Sequence, residues 1–266
     1  MKIQIIVASL NADTANLAAR MNVEFDTIIC NQCGIDSAET HQYNGHEIKT
    51  LNYSHTGVGK NRNQGIMASD ADWILFTDDD IVYDTGFGEK VIKAIEDNPR
   101  ADALMFNVSA AADMALYENA GTKRIRWYNY GRYPMYAMCV KRLRLLGRPV
   151  LLSTEFGGGA EFSNGEDSIF IHDCLKEGLR IYSVPVHIGK EVPRDAGSTW
   201  FKGYDEKFFY DRGVLYSVLY PRVMQKALLR RYYSSKRNTL FRDVDGHMAV
   251  KQMRSGLAYG RANFSR

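Results

Sequence analysis

The 266-residue chain is short of long apolar runs, of cysteine and of repeats, and each shortage removes a class of protein. No stretch approaches the roughly 20 apolar residues that cross a bilayer, so a membrane-spanning architecture is not expected. The opening MKIQIIVASLNAD is too short for a secretory signal and lacks the small-residue cleavage pattern; it reads as a first β-strand. Four cysteines, at 30, 33, 139 and 174, make no disulfide framework in a chain of this size, which fits a reducing cytoplasm. Cys30 and Cys33 form a C-x-x-C, but no second close pair or C-x-x-H follows, so packing as small hydrophobes is favoured over a redox or zinc role. No internal repeat or low-complexity linker appears. The expectation is one domain over residues 1–204, followed by a helical, basic extension over 205–266.

A phosphate loop is missing as well. The stretch SHTGVGKN has Ser54 where G-x-x-x-x-G-K-[ST] needs its first glycine, and Asn61 where it needs Ser or Thr. Arg62 and Asn63 are left as polar groups near the start of a helix. Charge, by contrast, is present and uneven. Residues 1–218 carry 23 Lys and Arg against 29 Asp and Glu, whereas residues 219–266 carry 11 against 2. An acidic body with a basic tail suggests an anionic surface as partner. Membrane is favoured over nucleic acid because the body is acidic, and in a helix RVMQKALLRRYY would mix apolar and basic side chains. A solvated helix or a subunit contact explains the same tail equally well.

Strand and helix signals alternate through the first half. Strands are expected over 2–8, 27–31, 47–53, 72–77 and 103–107, with helices over 13–21, 59–69 and 85–97. A helix over 166–177 and a strand over 180–186 follow. Apolar strands separated by helices predict an α/β fold with a largely parallel sheet covered on both faces. Ligands on such sheets gather at the carboxyl ends of the strands. Ser9 to Asn11, Asn31 and the run Asp78, Asp79, Asp80 all fall at such ends.

Three adjacent carboxylates repel one another and resist desolvation, a conflict that a divalent cation resolves. A polar turn capping the strand is the competing explanation. Further on, Glu166 and Asp167 open a helix behind a glycine-rich stretch; they complement the helix dipole and can equally present a general base. His187, just past a strand, is either a structural imidazole or a ligand for a borderline metal. The aromatic run of Trp127, Tyr128, Tyr130, Tyr133 and Tyr136 can stack on sugars or simply pack. The segment PRDAGSTWFKGYD, containing Trp200, has the composition of a lid.

The ordered set LFTDDD after a strand, GKNRNQG on the preceding helix, GED opening a later helix and a strand-end histidine resembles an inverting nucleotide-sugar glycosyltransferase of family 2, with the GT-A fold, over about residues 2–190. The resemblance implies donor contacts from Ser9, Asn11, Asn31, Arg62, Asn63, Asp78 and Asp79. It implies Mn²⁺ or Mg²⁺ held by Asp80 and His187, and Asp167 as catalytic base. Glu166 is implied to contact donor or acceptor sugar, a role to which Trp127 and Trp200 are also candidates. The donor expected is a UDP-linked nucleotide-diphospho-sugar, and the acceptor a glycan or lipid-linked hydroxyl in cell-surface polysaccharide synthesis. Departures are ASLN where P-T-Y-N is frequent, and CNQCGIDS in place of paired acids, which bear on Asn31 and on uracil as the base. The usual G-F-D-E run is also missing. A metal-dependent nucleotidyltransferase and a non-enzymatic adaptor acting through the tail are the alternatives; against the first stands the missing glycine-rich N-terminal loop.

Overall fold

The computed structural model describes residues 1–110, 118–148, 150–192, 203–233 and 244–264. Ten strands form one sheet: β1 (Ile3–Leu10), β2 (Asp26–Gln32), β3 (Ser37–Tyr43), β4 (His46–Tyr53), β5 (Trp73–Asp78), β6 (Ile81–Tyr83), β7 (Ala103–Ser109), β8 (Lys123–Arg124), β9 (Met138–Lys141) and β10 (Ile181–Glu191). Their order is β3-β4-β2-β1-β5-β9-β7-β10-β6, with β8 pairing β10. The pairs β2–β4, β1–β2, β1–β5 and β7–β10 are parallel, whereas β3, β6, β8 and β9 run the other way. The sheet is therefore mixed and largely parallel.

Side-chain alternation explains why both faces are buried. Along β1, Ile3, Ile5 and Val7 face one core, with Leu17 and Met21 of α1 (Leu17–Met21) and Phe87, Val91 and Ile95 of α3 (Phe87–Asp97). Ile6 faces the other, with Ile66 of α2 (Val58–Ala68), Leu145 of α4 (Arg142–Leu146) and Phe170 and Cys174 of α5 (Glu166–Lys176). Cys30 lies fully buried in that second core, and its burial pushes the thiol up to about 12, so it packs as a hydrophobe.

The sequence pattern misses β3, β6, β8 and β9. The β3–β4 hairpin turns at Asn44 and Gly45, both at positive φ, the Asn-Gly signal of a two-residue hairpin. The helix expected over 13–21 begins only at Leu17, and the strand expected over 180–186 continues to Glu191.

Beyond residue 204 come α6 (Glu206–Leu219), α7 (Arg222–Tyr233) and α8 (Gly246–Asn263). Val214, Leu215, Val218 and Leu219 of α6 pack on Phe156, Phe162 and Ile169, so α6 is seated on α5 and its preceding loop. Among the described residues no helix is long and apolar enough to cross a membrane.

Candidate active site

The carboxyl ends of the central strands bring together residues far apart in sequence. Register sets Ala8 beside Asp78, Ser9 beside Asn31, and Asn31 beside Asn52. Ser9 donates its hydroxyl to Asn31 Oδ1 at 3.3 Å, which also accepts the Ala12 N–H at 3.1 Å. Asn31 Nδ2 then donates to Asn52 Oδ1 at 3.0 Å. A polar chain thus runs across β1, β2 and β4. Asn11 follows β1 with φ of 51°, a left-handed conformation that asparagine tolerates, and is exposed.

Beside this chain stands Arg62 of α2, only 3% exposed. One terminal nitrogen reaches Asp78 Oδ1 at 2.5 Å, and the other reaches Asp167 Oδ1 at 3.3 Å and Glu166 Oε1 at 4.0 Å. Its Nε is buried and has no hydrogen-bond partner. Burial opposes the charge of Arg62, but Asp78, Asp167 and Glu166 more than offset this and hold its pKa up. The converse holds at α5. Burial and then the neighbouring Asp167 push the Glu166 carboxyl up to about 8, against the pull of Arg62. Asp167 is also raised, chiefly by burial, although Arg62 and the Met135 N–H donating to its Oδ2 at 3.0 Å favour the charged form.

The start of α5 is built to hold these two groups. Gly165 caps the helix at φ of 109°, and a Cβ there would meet the side chain of Leu215. A Cβ on Gly157 would meet the Glu166 carboxylate. The glycine-rich stretch therefore serves a close approach of this loop to Glu166 and to the start of α2, where Val58 N–H donates to Gly158 O at 2.9 Å. Asp211 of α6, fully buried, accepts the Ser163 N–H at 2.9 Å and the Ser163 hydroxyl at 2.8 Å. The C-terminal helices thus hold the loop that presents Glu166 and Asp167.

Asp79 and Asp80 form the turn between β5 and β6, both half-buried. Asp80 O accepts the Val192 N–H at 2.8 Å, and Glu191 pairs with the adjacent Ile81. The Tyr136 phenol lies within electrostatic reach of Glu191, Asp78, Asp167 and Asp80; burial first, then these carboxylates, push it up. Carboxylate oxygens are hard ligands suited to Mg²⁺ or Mn²⁺. Among the described residues no three His, Cys, Asp or Glu are grouped to hold an ion by themselves. The excess of carboxylates over the Arg62 guanidinium fits an ion that one or two carboxylates share with a phosphate-bearing ligand.

Three expected participants stand elsewhere, and a fourth is not among the described residues. His187 donates or accepts at Asp84 Oδ2 and Ser109 Oγ, each 2.8 Å, so both ring nitrogens are engaged. Asp84 lies just past β6, three residues beyond Ile81 and about 10 Å away, so His187 is not brought to Asp80. Asn63 exchanges two hydrogen bonds with the Leu152 backbone, at 2.8 and 2.9 Å, and joins α2 to that loop. Trp127 is 64% exposed beside Leu175 and Lys176, about 12 Å down α5 from Asp167. Trp200 and most of the expected lid lie outside the described residues. Residues that sequence reasoning missed are Asn52, Glu191 and Asp211; only the strand-end position of Asn52 gave a signal.

Residues 35–142 match the model for glycosyl transferase family 2. Over 104 residues the chain is 31% identical to a Haemophilus influenzae protein described as an uncharacterized glycosyltransferase, which is 36% of this chain and 35% of that relative. The match thus spans about a third of the relative's length. S. aureus TarS 1–349 in complex with UDP-GlcNAc superposes with a TM-score of 0.67 at 16% identity, over 98% of this chain and 80% of that one. The mannosyltransferase PcManGT from Pyrobaculum calidifontis, in complex with GDP-Man and Mn²⁺, superposes with a TM-score of 0.50 at 12% identity, over 100% of this chain and 76% of that one. The family match contains Arg62 and the Asp78–Asp80 turn and ends before Asp167. Residues 35–142 are thus similar to glycosyl transferase family 2, and the fold is the GT-A fold of TarS.

Proposed function

We propose that the protein transfers a sugar, with inversion, from a nucleotide-diphospho-sugar to an acceptor hydroxyl. The observation that carries this reading is Arg62, which ties the strand-end Asp78 to Asp167 at the start of α5. One buried side chain thereby couples a donor-facing carboxylate to a candidate base.

In this reading Ser9, Asn11 and Asn31 lie along the nucleoside, and Asp78 and Asp79 approach the ribose or the sugar. Asp80 would hold Mn²⁺ or Mg²⁺, which when bound would supply charge stabilisation to the leaving diphosphate. Asp167 takes the proton from the attacking hydroxyl, and burial raises its basicity. Glu166, adjacent and half-buried, faces donor or acceptor sugar. A single base on the face opposite the leaving group gives one displacement, hence inversion. Burial of Arg62 against Asp167 holds the base in one orientation.

TarS was solved with UDP-GlcNAc and PcManGT with GDP-Man and Mn²⁺, which supports a nucleotide-sugar donor and a divalent ion, with UDP the first donor to test. The acceptor proposed is a glycan or lipid-linked chain of a cell-surface polysaccharide. Exposed Val223 and Lys226 on α7, within the basic tail, support peripheral attachment to an anionic membrane. The experiment is thermal stabilisation by a panel of nucleoside diphosphates and their sugars, with and without Mn²⁺. A Mn²⁺-dependent rise in melting temperature with one nucleotide family supports the reading; no response to any nucleotide refutes it.

A further inference from the structure

Away from the strand ends, two cavities of about 260 and 460 Å³ adjoin along the C-terminal half of α5 and share His172 and Lys176. The first is lined by Arg124, Arg126 and Trp127; the second by Arg222 and Arg261, from α7 and α8. Among the described residues neither lining contains an Asp or a Glu. Among the described residues, no carboxylate lies within ion-pairing distance of Arg124, Arg126, Lys176 or Arg222. The nearest acidic group on α5 is Asp173, which is hydrogen-bonded to His172 at 3.0 Å.

Helix electrostatics account for part of this charge. Lys176 and Arg261 sit in the last turns of α5 and α8, where cations complement the helix dipole. Arg222 sits in the first turn of α7, where a cation opposes it. Arg124 and Arg126 are on no helix. Three of the five cations are therefore unexplained by capping. Trp127, in the first lining, is 64% exposed, and Tyr128 next to it is 65% exposed; the two rings meet edge to face at 5.6 Å.

We propose that this cleft binds an anionic saccharide chain. Sugar rings stack on open aromatic faces, and carboxylate or phosphate substituents pair with arginine forks. The concave shape suits a chain laid along it better than a flat bilayer, which would meet only the rim. If the transfer reading holds, the occupant is the already built part of the acceptor, held away from the end that reacts.

Two variants of the full chain test this: Arg126→Glu/Lys176→Glu, which removes charge, and Trp127→Ala, which removes the stacking face. The probes at low ionic strength are a long oligogalacturonate, a neutral maltodextrin of equal length, polyphosphate, and phosphatidylserine vesicles. The wild type should bind oligogalacturonate and not maltodextrin, and each variant should weaken that binding about tenfold or more. Melting temperatures close to wild type would show that the variants fold. The proposal is overturned if the wild type ignores oligogalacturonate, or if binding survives both variants. It is also overturned if polyphosphate binds as well and Trp127→Ala changes neither affinity, or if the variants lose vesicles alone. UDP with Mn²⁺, titrated in parallel, tests the donor reading separately. Saccharide binding without nucleotide binding would support the cleft and refute transfer.

Discussion

Arg62 and Asp78 form an ion pair at 2.5 Å in which the guanidinium is 3% exposed and the carboxylate 31%. The same guanidinium reaches Asp167, 105 residues along the chain. Among the described residues it is the single buried cation against Asp78, Glu166 and Asp167. Removing one partner of such a buried group leaves charge uncompensated and typically costs about 3–5 kcal/mol. Arg62→Met should therefore lower stability by that order at pH 7. The deficit should shrink at pH 5, because carboxylates that have lost their cation bind protons more tightly folded than unfolded. Urea denaturation at both pH values checks this; an equal deficit at both contradicts it.

Glu166 gives a sign that can be tested in the unmodified site. Its folded pKa is raised to about 8 from an ordinary 4.5, by burial and then by Asp167. The folded state thus holds the proton more tightly, and this group's contribution to stability is lost as pH rises through that window. The stability of the wild type relative to Glu166→Gln should fall between pH 5 and pH 8. A flat difference across that range would mean that Glu166 is ionised throughout.

Asp211 carries the link from α6 to the active-site loop. Asp211→Ala would strand the Ser163 N–H and remove the carboxylate that stands 2.7 Å from Lys207, which would keep only the Glu161 carbonyl. A loss of about 2–4 kcal/mol is expected, with transfer falling further than donor affinity because the start of α5 is displaced. Truncation after residue 204 should go further and yield insoluble protein, since it uncovers Phe156, Phe162 and Ile169. A soluble, nucleotide-binding fragment of residues 1–204 would show that the extension is dispensable.

The proposed cation ligand has its own test. Asp80→Asn should abolish the Mn²⁺-dependent part of nucleotide binding in calorimetric titration while the melting temperature of the free protein stays close to wild type. Unchanged metal-dependent affinity would remove Asp80 from the site.

Local pattern carried the strand-end residues well. A parallel strand buried on both faces is a continuous apolar run, and its carboxyl end is where polar residues resume, as at Ser9, Asn31 and Asp78. What pattern could not carry was pairing at long range. Asn63 looks like Arg62's companion in sequence, yet one step along a helix turns its side chain by about 100° toward Leu152. His187 follows a predicted strand end, but β10 runs on to Glu191, so the residue beside the Asp80 turn is four positions later. β9 escaped notice because it has only four residues, inserted antiparallel between β5 and β7. The hold of α6 on the loop before α5 depends on Asp211 and Ser163, 48 residues apart, which no local window links.

The central claim is that Asp167 is the base of a sugar transfer. Its two oxygens accept from Arg62 and from the Met135 N–H, and an amide in its place keeps one acceptor and nearly the same volume. The decisive measurement is the rate of sugar transfer by Asp167→Asn under saturating donor, with donor affinity titrated in the same buffer. Loss of general-base catalysis costs about 10²–10⁴ in rate. The account predicts at least about a hundredfold slower transfer with donor and Mn²⁺ affinity within a few-fold of wild type. Transfer at near wild-type rate would contradict it and leave Asp167 as the acidic first turn of a helix.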